Sequence, residues 1–227
     1  MKKKNAVVVV SGGINSCLLT AMVAEKFNPL FLHVSFGQKV EKRELKSFKD
    51  LAVHFKIKKR LIASIKFLKE IGGSSLTDRN INISISGMSN RKVPTSYVSF
   101  LNTHLIAIAV SWAEVMGVNQ VFFGANETDE LSYPDCNRQY FQQYNKLIAL
   151  GTKTESKILL ETPLVGMKKH DIIKKATELK LPLHSTWSCY KNNDIACGEC
   201  DACMRRLIGF KKAKLYDPLE YMVYPKI

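Results

Sequence analysis

An unbroken apolar run, Ala6 to Val10, opens the chain and breaks at Ser11-Gly12-Gly13. A short β-branched run without polar alternation predicts a strand buried on both faces. Residues 16–27 then place Leu18, Leu19, Met22 and Val23 at helical spacing, so a helix follows at once. The segment PLFLHVS at 29–35 predicts a second strand. Residues 41–55 predict a second helix, with Leu45, Phe48, Leu51, Ala52 and Phe55 on one face, and 59–63 a third strand. Strands alternating with helices predict an α/β fold: a parallel sheet with helices on both faces.

Farther along, 72–91 is polar and rich in Gly, Ser and Asn, and is expected to be a loop. Residues 97–116 predict a long amphipathic helix, with Gly117 as its C-terminal stop. Residues 120–123 predict a strand running into Gly124-Ala125-Asn126. Helices are expected at 141–150, ending at Gly151, and at 168–179, ending before Pro182. No repeat, low-complexity tract or linker interrupts the pattern. Residues 1–184 are therefore expected to form one α/β domain, with 185–227 as a cysteine-bearing region packed on it.

The 227 residues carry 34 Lys+Arg against 20 Asp+Glu, a net charge of +14. Such a balance favours an anionic partner: a nucleotide, a nucleic acid or an acidic surface. No apolar run approaches the roughly 20 residues that span a bilayer. The basic start, Met1 to Lys4, is followed by too short an apolar stretch and no A-x-A site for a secretory signal. A cytoplasmic protein without membrane contact is expected. RNA is not an expected partner, because no recognition signature with interleaved aromatics is present.

The first chemical signal is the loop VVVVSGGINS at 7–16. Glycines admit positive φ and let the backbone approach a ligand closely. The N–H groups of the loop and helix start would converge on one spot, where the helix dipole favours an anion. Ser11 and Ser16 add hydroxyls. The alternative is an ordinary tight turn between strand and helix. Neither a Walker A loop nor a G-x-G-x-x-G fingerprint is present.

The second signal is Cys189, Cys197, Cys200 and Cys203. Four thiols at this spacing suit a closed tetrahedral Zn²⁺ site of structural type, although an iron–sulfur cluster also takes four cysteines. His184 is expected to pack or face solvent, and Cys17 to be core. The lysines at 211, 212 and 214 are expected to form a solvated face.

Ser-Gly-Gly-x-x-Ser after an N-terminal strand resembles the PP-loop of the ATP pyrophosphatases, which adenylate a substrate oxygen. In combination with the cysteines, further strings resemble one family of that class. Ser185-Thr186-Trp187-Ser188-Cys189-Tyr190 precedes the cysteine cluster, and Glu161-Thr162-Pro163-Leu164, Phe36-Gly37-Gln38 and Val93-Pro94 occur in order. Gly124-Ala125-Asn126-Glu127-Thr128-Asp129 is followed by Ser132-Tyr133-Pro134-Asp135-Cys136. The whole is similar to the 7-cyano-7-deazaguanine synthase (QueC) family.

That resemblance implies an enzyme that adenylates 7-carboxy-7-deazaguanine with ATP and Mg²⁺ and aminates it with ammonia. A second adenylation then dehydrates the amide to the nitrile. Ser11, Asn15 and Ser16 would be catalytic. ATP would be held by Ser11, Gly12, Gly13, Ile14, Asn15, Ser16, Gly37 and Gln38. Asp129, Tyr133, Pro134 and Asp135 would hold the deazaguanine, and a homodimer is implied.

Several positions depart from the family pattern. Asn15 stands where Asp is usual and cannot offer Mg²⁺ a carboxylate. Ser96 and Tyr97 stand for Arg and Asn, Ser132 for Gly, and Asn137 for Arg. Because the departures cluster at polar site positions, a second reading is a QueC-like paralogue of anti-phage defence operons that joins the deazaguanine to an amine of a partner protein. A third is a nucleotide- or RNA-binding module without catalysis.

Overall fold

The computed structural model describes residues 3–85, 93–126 and 133–226. Five strands form one parallel sheet: β1 (Asn5–Val9), β2 (Asn28–Ser35), β3 (Arg60–Ser64), β4 (Gln120–Phe122) and β5 (Leu159–Glu161). Their spatial order is β3-β2-β1-β4-β5. The order reverses between β1 and β4, and in open α/β sheets a crevice forms beyond the strand C-termini at such a switch point.

Alternation along β1 divides the core. Val7 and Val9 pack on one face with α4 (Leu101–Val115) and α5 (Arg138–Gly151). Ala6, Val8 and Val10 pack on the other with α1 (Ile14–Lys26), α2 (Glu41–His54) and α6 (Lys169–Glu178). With both faces covered, β1 has no solvated side and needs no polar alternation.

Three elements escape the sequence pattern: α3 (Phe67–Ile71), β5 and α7 (Asp201–Ala213). The first two are too short to show a period. Cys200 is the N-cap of α7 and Cys203 lies in its first turn, and the buried face is Ala202, Cys203, Arg206, Gly209, Phe210 and Ala213. Its largest buried member is a charged residue, so no apolar stripe announces it.

α1 begins at Ile14 rather than at 16, and two later helix starts differ by more. α4 begins at Leu101 rather than at 97, because two turns precede it, one closed by Tyr97 N–H donating to the Pro94 carbonyl at 3.0 Å and one by Leu101 N–H donating to the Val98 carbonyl at 3.2 Å. α5 begins at Arg138 rather than at 141, because the Asn137 side chain caps it, accepting from Tyr140 N–H at 2.8 Å. Cys17 is core as expected, and burial pushes its thiol up to about 12. His184 is exposed. Among the described residues no helix is long and apolar enough to cross a membrane.

Candidate active site and metal centre

A cleft of about 320 Å³ opens at the switch point. The loop after β1 forms its floor. Gly12 has φ +90°, and a Cβ there would lie 2.7 Å from Ser47 Cβ and 2.9 Å from the Glu44 carbonyl oxygen of α2. Both the backbone sign and the close approach therefore require glycine. Gly13 is the N-cap of α1, in extended conformation, and directs the helix N-terminus toward the cleft. Ser16 Oγ donates to the Gly13 carbonyl at 3.0 Å, and Gly13 N–H is 3.4 Å from Ser11 Oγ.

Asn15 is fixed on both sides. Its amide donates to the Gly124 carbonyl beyond β4 at 3.0 Å, and its Oδ1 accepts from Lys169 Nζ at 2.7 Å. An Asp at position 15 would meet the Lys169 ammonium as a counter-charge; Asn meets it as a neutral hydrogen-bond acceptor. The sequence pattern did not single out Lys169: it is a lysine at the first position of an amphipathic helix, in line with buried Ile172, Ile173 and Ala176, and no motif marks it.

The cleft wall contains Ser11, Gly13, Ile14, Asn15 and Ser16 from the loop and Tyr133 and Asp135 from beyond β4. Gly12, Gly37, Gln38 and Pro134 are not part of that wall. Gly12 packs behind the loop. Gly37, at φ +85°, lies against Lys69. Buried Gln38 accepts from Phe36 N–H at 2.9 Å and donates to Glu44 Oε2 at 2.8 Å, which shapes the β2–α2 turn. Pro134 is exposed. Asp129 and Ser132 lie outside the described residues.

At the opposite end, Asp135 is buried, and that burial pushes its carboxyl up against the opposing hydrogen bond from Asn102 N–H at 2.9 Å. Asn102 Nδ2 also donates to the Asp135 carbonyl and to Cys136 Sγ. Two of the departures meet at Tyr133. Ser96 Oγ lies 2.9 Å from its hydroxyl, and the Tyr97 ring stacks on its ring at 27°. Glu44, whose burial pushes its carboxyl up to about 7, also lines the cleft. Neither Asn102 nor Glu44 has a local sequence signal; tertiary contact alone brings them here.

All four clustered cysteines are buried, and their sulfurs lie within 4.8 Å of one another. Cys197 Sγ and Cys203 Sγ are 3.8 Å apart. Four thiolates about 2.3 Å from a zinc ion would be separated by about 3.8 Å, so the set fits a tetrahedral ion. Lys191, Asn192 and Cys197 N–H groups point at Cys189 Sγ at 3.3–3.4 Å, and these favour the thiolate.

This centre is wired to the loop. Trp187 Nε1 donates to the Cys189 carbonyl at 3.0 Å, and Trp187 N–H donates to the Gly12 carbonyl at 3.0 Å. The Arg43 guanidinium lies 4.3 Å from the Trp187 ring centre. Beneath it, fully buried Arg206 forms a two-pronged ion pair with Asp217 at 2.6 and 2.9 Å. It also donates to Thr186 Oγ1 and the Leu183 carbonyl.

Residues 5–214 match the family described as queuosine biosynthesis protein QueC. The 7-cyano-7-deazaguanine synthase of Chloroherpeton thalassium is 42% identical over 97% of this chain and 98% of its own. That of Chlorobaculum tepidum is 42% identical over 97% of each chain. In fold, the U34-tRNA thiolase NcsA of Methanococcus maripaludis, solved with its [4Fe-4S] cluster, superposes with TM-score 0.53. It is 15% identical, over 83% of this chain and 61% of that one.

Proposed function

The chain belongs to the QueC family of queuosine biosynthesis proteins, and from that premise we infer that it is an ATP-dependent ligase that converts 7-carboxy-7-deazaguanine to 7-cyano-7-deazaguanine. Identity across the full length of named synthases carries this reading. Those relatives do not favour a protein-conjugating paralogue or a non-catalytic nucleotide- or RNA-binding module.

A carboxylate is a poor electrophile. Attack of its oxygen on the α-phosphorus of ATP gives an acyl adenylate and releases pyrophosphate. Ammonia then displaces AMP to give the amide. Attack of the amide oxygen on a second ATP, followed by loss of AMP and two N–H protons, leaves the nitrile. Both adenylations need the charge developing on pyrophosphate to be stabilised. In this reading the N–H groups of residues 13–16, at the α1 N-terminus, take the β- and γ-phosphates with Ser11, Ser16 and Lys169. Gly12 sets the loop's shape, and Gly37 and Gln38 shape the β2–α2 turn toward the adenosine. Tyr133 and Asp135, with Asp129, hold the deazaguanine: a ring face against Tyr133, and base N–H groups donating to Asp135. Asn15 keeps its place through Gly124 and Lys169, and Mg²⁺ arrives with the triphosphate.

The four cysteines take a structural Zn²⁺, leaving no position open for a water. Its chemistry is confined to crosslinking the segment that carries Trp187 against the loop. Residues 1–184 act as the ATP-binding unit and 185–227 as its metal-held buttress. The assembly is expected to be a homodimer, which sedimentation would test.

The deciding experiment follows 7-carboxy-7-deazaguanine with ATP, Mg²⁺ and ammonium by mass spectrometry, using the native chain and Asn15→Asp in parallel. Nitrile, AMP and pyrophosphate are expected from both. A product that stops at the amide would overturn the nitrile assignment. Absence of ATP consumption by both proteins would overturn the ligase reading.

A further inference from the structure

A second hollow, of about 370 Å³, lies between the start of α6 and the middle of α7. Lys168, Lys169, His170, Arg205 and Lys212 line it, with no carboxylate among the described lining residues. Asp171, next to His170 in α6, pairs with His170 Nε2 at 3.4 Å. Close approach of the two helices builds the hollow: a Cβ at Gly209 would lie 2.8 Å from Ile173 Cδ1 and 2.9 Å from Lys169 Cγ.

Lys169 and Arg205 line both this hollow and the central cleft. On its cleft side Lys169 bonds Asn15 of the loop, and Arg205 donates to Tyr190 at 3.3 Å. The hollow is thus a positively charged annex reached past the two cations at the phosphate end of the cleft. The deazaguanine end, at Tyr133 and Asp135, does not contribute to it.

We propose that this annex is a binding site for released pyrophosphate, handed from the loop past Lys169 and Arg205 to Lys168, His170 and Lys212. The proposal rests on the ligase reading, in which two ATP molecules are cleaved in succession on one deazaguanine. Pyrophosphate is the most highly charged species in the site, and the loop that stabilises its formation also retards its departure. The second ATP cannot enter until the loop is empty. A cationic relay leading away from the deazaguanine empties the loop without requiring the amide intermediate to leave. Electrostatic attraction over such a patch acts at hydrogen-bond range and, at moderate salt, over roughly a Debye length of 8–10 Å.

The test uses calorimetric titration of the metal-loaded full chain at fixed ionic strength, with sodium pyrophosphate and Mg·ATP as separate probes. The Lys168→Glu/Lys212→Glu protein is compared with the native one. A control, Lys146→Glu/Lys153→Glu, makes the same charge change at exposed positions in and just beyond α5, on the other face of the sheet. The expected result is pyrophosphate binding weakened at least fivefold in the annex variant, with ATP affinity within twofold and the control unchanged for both. Unchanged pyrophosphate binding would overturn the proposal. Equal losses for ATP and pyrophosphate would assign the annex to the triphosphate site instead, and a matching loss in the control would reduce the effect to net charge. Because binding is measured without turnover, failure of the ligase reading would leave this result interpretable on its own.

Discussion

Replacing Asp217 by Asn removes one charge from the base of the structure and nothing else of size. Arg206 and Asp217 expose only 1% and 4% of their side chains. Asp217 also accepts from Tyr221 Oη at 2.6 Å and from Leu219 N–H at 3.1 Å. The substitution leaves a guanidinium buried without its counter-charge, and breaking a buried pair in this way costs about 3–5 kcal/mol. That is a large part of the roughly 5–15 kcal/mol by which a domain is stable. At about 2–4 °C per kcal/mol for a chain of this length, the melting temperature should fall by about 6–20 °C. The damage should also reach the site. Arg206 holds Thr186 at 2.8 Å, and the next residue, Trp187, holds the Gly12 carbonyl. The assay pairs thermal unfolding with ATP titration of the folded variant below its transition. Arg206→Met with Asp217→Leu removes both charges and should recover at least half of the single variant's loss, because the desolvation cost of both ions disappears together. A loss under 1 kcal/mol for Asp217→Asn, or a double variant as unstable as the summed singles, would refute this account of the pair.

Gly12→Ala should weaken ATP binding at least tenfold by calorimetry, since the added methyl meets Ser47 and Glu44 at 2.7 and 2.9 Å at positive φ. Gly117→Ala is the control: it shares the positive φ (62°) but has open space around it, so its ATP affinity should not move. Cys200→Ala should reduce bound metal, measured by plasma mass spectrometry, from one ion per chain to none. Melting temperature and ATP affinity should fall together, because the Trp187 tether depends on the centre; a visible absorption band in the native protein would indicate iron–sulfur rather than zinc. Glu44 is held at about 7 in the folded chain against an ordinary 4.5, so the folded state binds the extra proton between those values. Stability contributed by this group is therefore lost as pH rises from about 4.5 through about 7, by at most about 3 kcal/mol. Glu44→Gln should remove that component, and identical pH–melting curves for the two proteins would contradict it.

Local pattern carried the elements whose physical cause is local. β1 shows itself because a strand covered on both faces is apolar throughout, and α2 because one face is covered and the other wet. The phosphate-type loop was legible because Gly12 answers a backbone constraint that few other residues meet. The cysteine centre was legible because ligand spacing is a sequence property. What pattern could not show is which distant side chains meet. Lys169 reaches Asn15 across 154 positions, and Asn102 reaches Asp135 across 33. α7 was hidden because its buried face centres on Arg206, whose charge is tolerable only beside Asp217, eleven residues later. The sequence by itself determined the strand–loop–helix unit, the four-cysteine cluster and the family. Only the tertiary structure decided which cations stand beside the loop, that Gly37 and Gln38 shape a turn behind the wall, and that Trp187, beside the cysteine cluster, braces Gly12. The reason is physical: period and spacing record each residue's own burial and backbone geometry, whereas a site is a set of contacts between segments, fixed when the sheet orders its strands.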